Sequence, residues 1–147
     1  MTIDIYIMMG LPGSGKTTYC ETHAKNKENI VEYLGQPLNL KLKEEIYIDG
    51  LILTNDKLRK LIDQEIEPLQ YYFLLEDINI KLHIVYFKED RQQCLINDEY
   101  RMFQGKRTMN AEHSIKMMMF EHPNLSLFGD YDVELIEVDI YNCPKVT

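Results

Sequence analysis

A segment near the N-terminus constrains the fold more than any other part of the chain. The residues from Ile3 to Met9, IDIYIMM, are mostly apolar and β-branched, and a cluster of glycine and proline follows them directly. Such a run is typical of a strand buried within a parallel sheet. A helix is predicted to start around Gly15–Lys16 and to run toward Lys27, so a strand, a glycine-rich turn and a helix open the chain.

The rest of the chain alternates in the same way. Further strands are predicted at 30–34, 45–50, 82–87 and 133–138, and helices at about 55–66, 89–103 and 110–121. The stretch at 68–77 fits either a helix or a strand, and a helix is favoured because residues 79–81 are too few for a crossover into the next strand. This alternation predicts an α/β sandwich with a mostly parallel sheet. No repeat, low-complexity tract or flexible linker interrupts the chain, so residues 1–147 are expected to form a single domain.

Composition and charge exclude several classes of protein. Of 147 residues, 45% are hydrophobic, which is enough for a core and excludes general disorder. No apolar run approaches the roughly 18–20 residues of a membrane span, and no secretory leader is recognisable, so we expect a cytoplasmic protein. Cys20, Cys94 and Cys143 have no metal-ligand spacing, which favours three reduced thiols.

The charge is unevenly distributed along the chain. A formal net charge of −8 argues against a protein that coats nucleic acid. Residues 81–116, however, carry seven basic and five acidic side chains, so this stretch is positive while the remainder is strongly acidic.

The glycine-rich turn carries a motif with a definite chemistry. GLPGSGKT, from Gly10 to Thr17, satisfies the pattern G-x-x-x-x-G-K-[ST]. Its glycines let backbone N–H groups turn toward phosphate oxygens, and the following helix adds the positive end of its dipole. Lys16 is predicted to reach the β- and γ-phosphates, and the Thr17 hydroxyl to coordinate Mg²⁺. The residues predicted to bind the nucleotide are Gly10, Leu11, Pro12, Gly13, Ser14, Gly15, Lys16, Thr17 and Thr18.

An acidic residue follows a second apolar strand. Asp49 ends the stretch EIYID, where its carboxylate could hold Mg²⁺ or accept the proton of an attacking hydroxyl. The alternative is an aspartate that caps a turn before Gly50. Asp56 is interpreted as a helix cap.

The positive stretch is interpreted as a lid at about 89–122. Arg91, Cys94, Asp98 and Arg101 share one helical face, and basic residues at 101, 106 and 107 flank Gly105, a candidate hinge. A mobile basic lid would neutralise the charge of a phosphoryl group in transfer, so Arg101 and Arg107 are candidate catalytic residues. The alternative is a solvated helix with ordinary ion pairs.

The pattern of methionines and histidines predicts no catalytic or metal-binding role. Ile115, Met118 and Met119 are interpreted as core residues of the helix at 110–121. The four histidines have no metal-ligand arrangement.

The sequence resembles the P-loop kinase superfamily, in particular small phage and bacterial members related to polynucleotide 5′-kinases and zeta-toxin-like kinases. Four stretches carry the resemblance: residues 10–18 (GLPGSGKTT), 46–54 (IYIDGLILT), 83–101 and 105–123. The resemblance implies a three-layer fold with a five-stranded parallel sheet of order 2-3-1-4-5, and catalysis by Lys16, Asp49, Arg101 and Arg107.

The implied activity is transfer of the γ-phosphate of ATP, with Mg²⁺, to a hydroxyl acceptor such as a polynucleotide 5′-hydroxyl. A kinase of nucleosides, nucleotides or other small molecules is the alternative, and a non-catalytic nucleotide-binding module is a third possibility. Related kinases usually carry an aspartate after their second strand, whereas this chain has none between Glu28 and Ile48. Neither the general base nor the acceptor follows from the sequence.

Overall fold

A computed structural model describes residues 1–34, 44–106 and 111–146 and contains one five-stranded sheet. Its strands are β1 (Thr2–Met9), β2 (Ile30–Val31), β3 (Glu45–Ile52), β4 (Asn79–Phe87) and β5 (Val133–Val138). Every neighbouring pair is parallel, and the order is β2-β3-β1-β4-β5. The predicted fold class and strand order are confirmed.

Helices connect the strands on both faces of the sheet. They are α1 (Lys16–His23), α2 (Asn55–Leu61), α3 (Glu67–Leu75), α4 (Arg91–Phe103) and α5 (Glu112–Met117). A π-helical segment, Ile62–Ile66, joins α2 to α3, and short 3₁₀ turns lie at Lys27–Asn29 and Leu125–Phe128.

Alternation along β1 divides the core into two faces. Ile3, Ile5 and Ile7 are fully buried in a cluster with the apolar residues of α2 and α3, such as Leu58 and Phe73. The opposite face of the sheet packs through Met8 of β1 against Cys20 of α1. With both faces covered, β1 is an almost continuous apolar run, as predicted for a central parallel strand.

The helix predicted at 110–121 is shorter than expected. Its described part, α5, ends at Met117, and Met118 is already extended. The Arg91 guanidinium accounts for this end, because it donates hydrogen bonds to the carbonyls of Ile115 at 2.6 Å and Met118 at 2.7 Å. Ile115 is buried as predicted, whereas Met119 is 69% exposed, so its assignment to the core was wrong.

Other boundaries differ by a few residues. The α1 helix ends at His23 instead of Lys27, and β2 contains only two residues. Thr54 caps α2, because its hydroxyl accepts a hydrogen bond from the Lys57 amide at 3.3 Å. Asp56 was therefore wrongly interpreted as the cap, and its carboxylate instead pairs with Lys60 at 3.3 Å.

A histidine lies between two carboxylates on one face of the sheet. His83 of β4 is buried, and its Nε2 lies 2.8 Å from the carboxylate of Asp4. Its Nδ1 is hydrogen-bonded to Glu134 of β5, and its ring stacks on Tyr6. The cluster joins three neighbouring strands through side chains as well as through the backbone.

Within the described residues, no helix combines the length and the apolar character that crossing a membrane would require.

Candidate active site

The loop between β1 and α1 has a backbone that only glycine adopts easily. Gly13 and Gly15 have φ angles of +82° and +99°. A Cβ at Gly13 would lie 2.6 Å from the carbonyl oxygen of Cys94, and one at Gly15 would lie 2.8 Å from Cβ of Tyr141. The loop is therefore fixed from outside, by the first turns of α4 and by the segment after β5.

The loop opens into a cleft of about 440 Å³ at the carboxyl ends of the strands. The cleft gathers predicted site residues from three separate parts of the sequence. Its lining residues are Pro12, Gly13, Gly15, Lys16, Thr17, Glu32, Asp49, Gly50, Leu51 and Arg101. Ligands of parallel α/β proteins bind at this edge of the sheet.

Lys16 points back onto its own loop. Its ammonium donates a hydrogen bond to the Gly10 carbonyl at 2.6 Å. Burial lowers the pKa of Lys16, and the nearby Asp49 carboxylate acts in the opposite direction. A cation that has lost much of its hydration gains most from an incoming anion, so this geometry suits a phosphate.

Thr17 and Asp49 meet at the mouth of the cleft. The Thr17 hydroxyl donates a hydrogen bond to the Asp49 carboxylate at 2.8 Å. The register between β1 and β3 shifts between the pairs Ile7–Ile48 and Met9–Ile52, so Asp49 lies in a β-bulge. Bulges commonly redirect a side chain beside a functional site. The hydroxyl and the carboxylate form an oxygen pair of the kind that Mg²⁺ uses together with substrate phosphates.

Arg101 reaches the cleft from the last turn of α4. Its guanidinium donates a hydrogen bond to the Thr18 hydroxyl at 3.0 Å and lies beside the loop. Asp98, one turn earlier, accepts a hydrogen bond from the Ala111 amide at 2.9 Å and so ties α4 to α5. Arg107 lies outside the described residues, and the lid at 89–122 stays a prediction.

Leu11 and Ser14 complete the loop from within. Leu11 is buried against Cys94, and its carbonyl accepts a hydrogen bond from the Ser14 amide at 3.1 Å. The Ser14 hydroxyl is buried and has no hydrogen-bond partner within the described part of the chain. The loop has no room for added Cβ atoms, and it carries a buried hydroxyl without a partner among the described residues. Both features fit a site that binds the phosphates of a nucleotide.

Two residues of the site were missed from the sequence. Glu32 follows β2 and lines the cleft, so an acidic residue also stands at the end of the second strand. Its backbone carbonyl would lie 2.9 Å from a Cβ at Gly50, so the end of β2 packs closely against β3. Asn97, buried in α4, bonds to the loop carbonyl of Gly13 at 2.8 Å.

Known proteins resemble this chain in structure and not in sequence. No protein-family profile matches it, and no curated protein matches it significantly. Among solved structures, a crystal structure of a fungal RNA kinase superposes on 100% of this chain and on 80% of its own, with a TM-score of 0.70 and 14% identity. The fold is kinase-like.

At 14% identity, the likeness establishes the kinase-like fold alone. The chemistry of this chain rests on its own residues, and four of them, Lys16, Thr17, Asp49 and Arg101, lie around one cleft. The kinase-like fold explains why: β1 and β3 are neighbours in the sheet, so the loop after β1 and the bulge of β3 open at the same edge.

Proposed function

We propose that this protein transfers the γ-phosphoryl group of ATP to a hydroxyl acceptor. The acceptor oxygen forms a bond to the γ-phosphorus while the bond from that phosphorus to the β–γ bridging oxygen breaks. The acceptor proton passes to a carboxylate of the protein, and the products are ADP and a phosphorylated acceptor. Bound Mg²⁺ would neutralise phosphate charge, with Thr17 and Asp49 as its protein ligands.

One observation carries the proposal: the glycine-rich loop with Lys16 and a second cation, Arg101 from another helix, line the same cleft. Lys16 and Arg101 both line the cleft and supply positive charge from two separate helices, α1 and α4. A protein that only binds nucleotide needs the loop but not a second, separately positioned cation. Fixed cations at the site of charge development are the main means by which phosphoryl transfer is accelerated.

The acceptor is proposed to enter beside β2 and β3. A smaller groove shares Glu32, Gly50 and Leu51 with the cleft and extends to Lys57 and Lys60 of α2. Since Glu32 lines both spaces, while the Asp49 carboxylate is engaged by Thr17, Glu32 is the better placed proton acceptor.

A nucleic-acid 5′-hydroxyl is the first acceptor to test. The superposable fungal protein is an RNA kinase, which supports this class. Lys57 of the groove would contact a phosphodiester, because Lys60 is paired with Asp56. The acidic net charge of −8 favours recognition of a chain end over a long track of nucleic acid.

The test is transfer from γ-labelled ATP to 5′-hydroxyl RNA and DNA oligonucleotides, nucleosides and nucleotides. Lys16→Ala should abolish transfer, while Lys25→Ala, an exposed lysine paired with Glu44 at 3.3 Å, should leave it unchanged. Glu32→Gln should lower turnover at least tenfold without weakening ATP binding. Transfer to a nucleoside but to no oligonucleotide would show that the acceptor is a small molecule. ATP binding with no transfer to any acceptor would refute the kinase proposal.

A further inference from the structure

A buried asparagine connects the phosphate-binding loop to the C-terminal segment. Asn97 lies in the middle of α4 and is 1% exposed. Its Nδ2 donates to the carbonyls of Gly13 at 2.8 Å and Tyr141 at 2.5 Å. Its Oδ1 accepts from the Cys143 amide and from Gln93 Nε2, both at 2.9 Å.

These four bonds use the whole capacity of the side chain. An amide group has two N–H donors and an oxygen with two lone pairs. The backbone partners fix its orientation, because carbonyls only accept and an N–H only donates. Neither aspartate nor leucine, the residues closest in shape, reproduces this pattern, so the position requires asparagine for its hydrogen bonds.

The C-terminal segment contributes a second contact to the loop. The Tyr141 amide donates to the Ser14 carbonyl at 3.0 Å, next to the Gly13 carbonyl held by Asn97. Two successive loop carbonyls are thereby engaged from outside. Neither is free to rotate toward the cleft, where it would repel a phosphate, and the loop N–H groups keep the inward orientation that binds anions.

We propose that Asn97 is a positioning residue that holds the loop ready for the triphosphate, with Tyr141–Cys143 as part of that support. The inference rests on the proposed function in one respect, namely that the loop binds phosphate. The inference goes further because it assigns the phosphate-binding conformation of the loop to two outside contacts. These are Asn97 of α4 and the segment after β5, which together hold the loop in place.

The first experiment compares Asn97→Ala with Gln92→Ala. Gln92 is an exposed residue of the same helix, so it controls for a substitution to alanine in α4. Two readouts are taken: amide hydrogen exchange of the loop without nucleotide, and dissociation constants for ATP and for adenosine. Loss of one buried hydrogen bond is worth about a tenfold change in affinity.

Asn97→Ala should speed exchange at Ser14, Gly15 and Lys16 and weaken ATP binding about tenfold, with adenosine binding unchanged. Gln92→Ala should change ATP binding less than twofold. A variant that melts at a lower temperature but keeps its loop protection and its ratio of ATP to adenosine affinity would overturn the inference, because the role of Asn97 would then be general packing.

A second pair of variants covers the case in which Asn97→Ala does not fold. Tyr141→Pro removes the N–H that bonds to Ser14, whereas Tyr141→Ala keeps it. Faster loop exchange in the proline variant than in the alanine variant supports the inference, and equal exchange overturns it. If the unaltered protein binds no ATP, the proposed function fails, while the exchange measurements still decide the inference.

Discussion

Gly13→Ala offers a direct measure of how tightly the loop is held. The added methyl group would lie 2.6 Å from the backbone carbonyl oxygen of Cys94, and the φ angle of +82° disfavours any residue with a Cβ. Gly105 provides the matched control, because its φ angle is +73° but a Cβ added there would meet no described atom within 4 Å. The two variants share the backbone cost and differ in the collision.

The expected magnitudes follow from these two terms. The left-handed conformation costs about 1–2 kcal/mol for an L-residue, which applies to both variants. Overpacking against a backbone atom adds about 1–3 kcal/mol for Gly13→Ala alone. At about 2–4 °C per kcal/mol for a domain of this size, Gly105→Ala should lower the melting temperature by roughly 4–5 °C and Gly13→Ala by roughly 10 °C.

Thermal unfolding followed by circular dichroism, with urea unfolding to obtain free energies, measures both variants. ATP affinity should fall for Gly13→Ala, since the loop or α4 must move, and should stay unchanged for Gly105→Ala. Equal losses of stability in the two variants would refute the close packing of the loop against Cys94.

Three further predictions concern other parts of the molecule. Arg101→Gln should reduce turnover by about 10²–10³-fold with little change in ATP affinity, as expected for a residue that stabilises the transition state. An equal loss of turnover and of ATP affinity would show that Arg101 serves only to bind ATP. Burial raises the pKa of the Cys20 thiol to about 12. Since the unfolded thiol ionises near pH ~8.5, stability should fall as pH rises above that value, and Cys20→Ala should flatten the unfolding profile there. His83→Leu should lower the free energy of unfolding, measured in urea, by about 1–3 kcal/mol. The loss should be smaller in a protein that already carries Asp4→Asn, and if the two losses simply add, the side chains of His83 and Asp4 are not coupled.

The loop was predictable because its information is local. The strand, the glycine-rich turn and the start of the helix need only the consecutive residues from Ile3 to Thr18, so pattern and structure agree there. Asp49 was placed correctly at the edge of the sheet, but the bulge that turns it toward Thr17 depends on pairing with β1 and has no signal in the sequence.

The missed features depend on distant contacts. Asn97 is separated from Gly13 by 84 residues and from Tyr141 by 44, so nothing near position 97 reveals its role. Glu32 follows a strand of two residues, too short for its apolar pattern to mark the strand end. The helix predicted to reach residue 121 ends early because Arg91, far away in sequence, donates hydrogen bonds to the carbonyls at its end.

The central position of β1 has a consequence for synthesis of the protein. Ile5 pairs with Ile46 on one side and with Leu82 on the other, so this apolar strand leaves the ribosome before either neighbour exists. At ~5–20 residues per second, β4 follows about 4–16 s later. Both edges of this strand have unsatisfied backbone until β3 has been made, and the edge that β4 covers stays open for the whole interval. Parallel strands cannot pair through a local hairpin, so the nascent chain exposes an edge of this apolar strand until residue 87 has emerged.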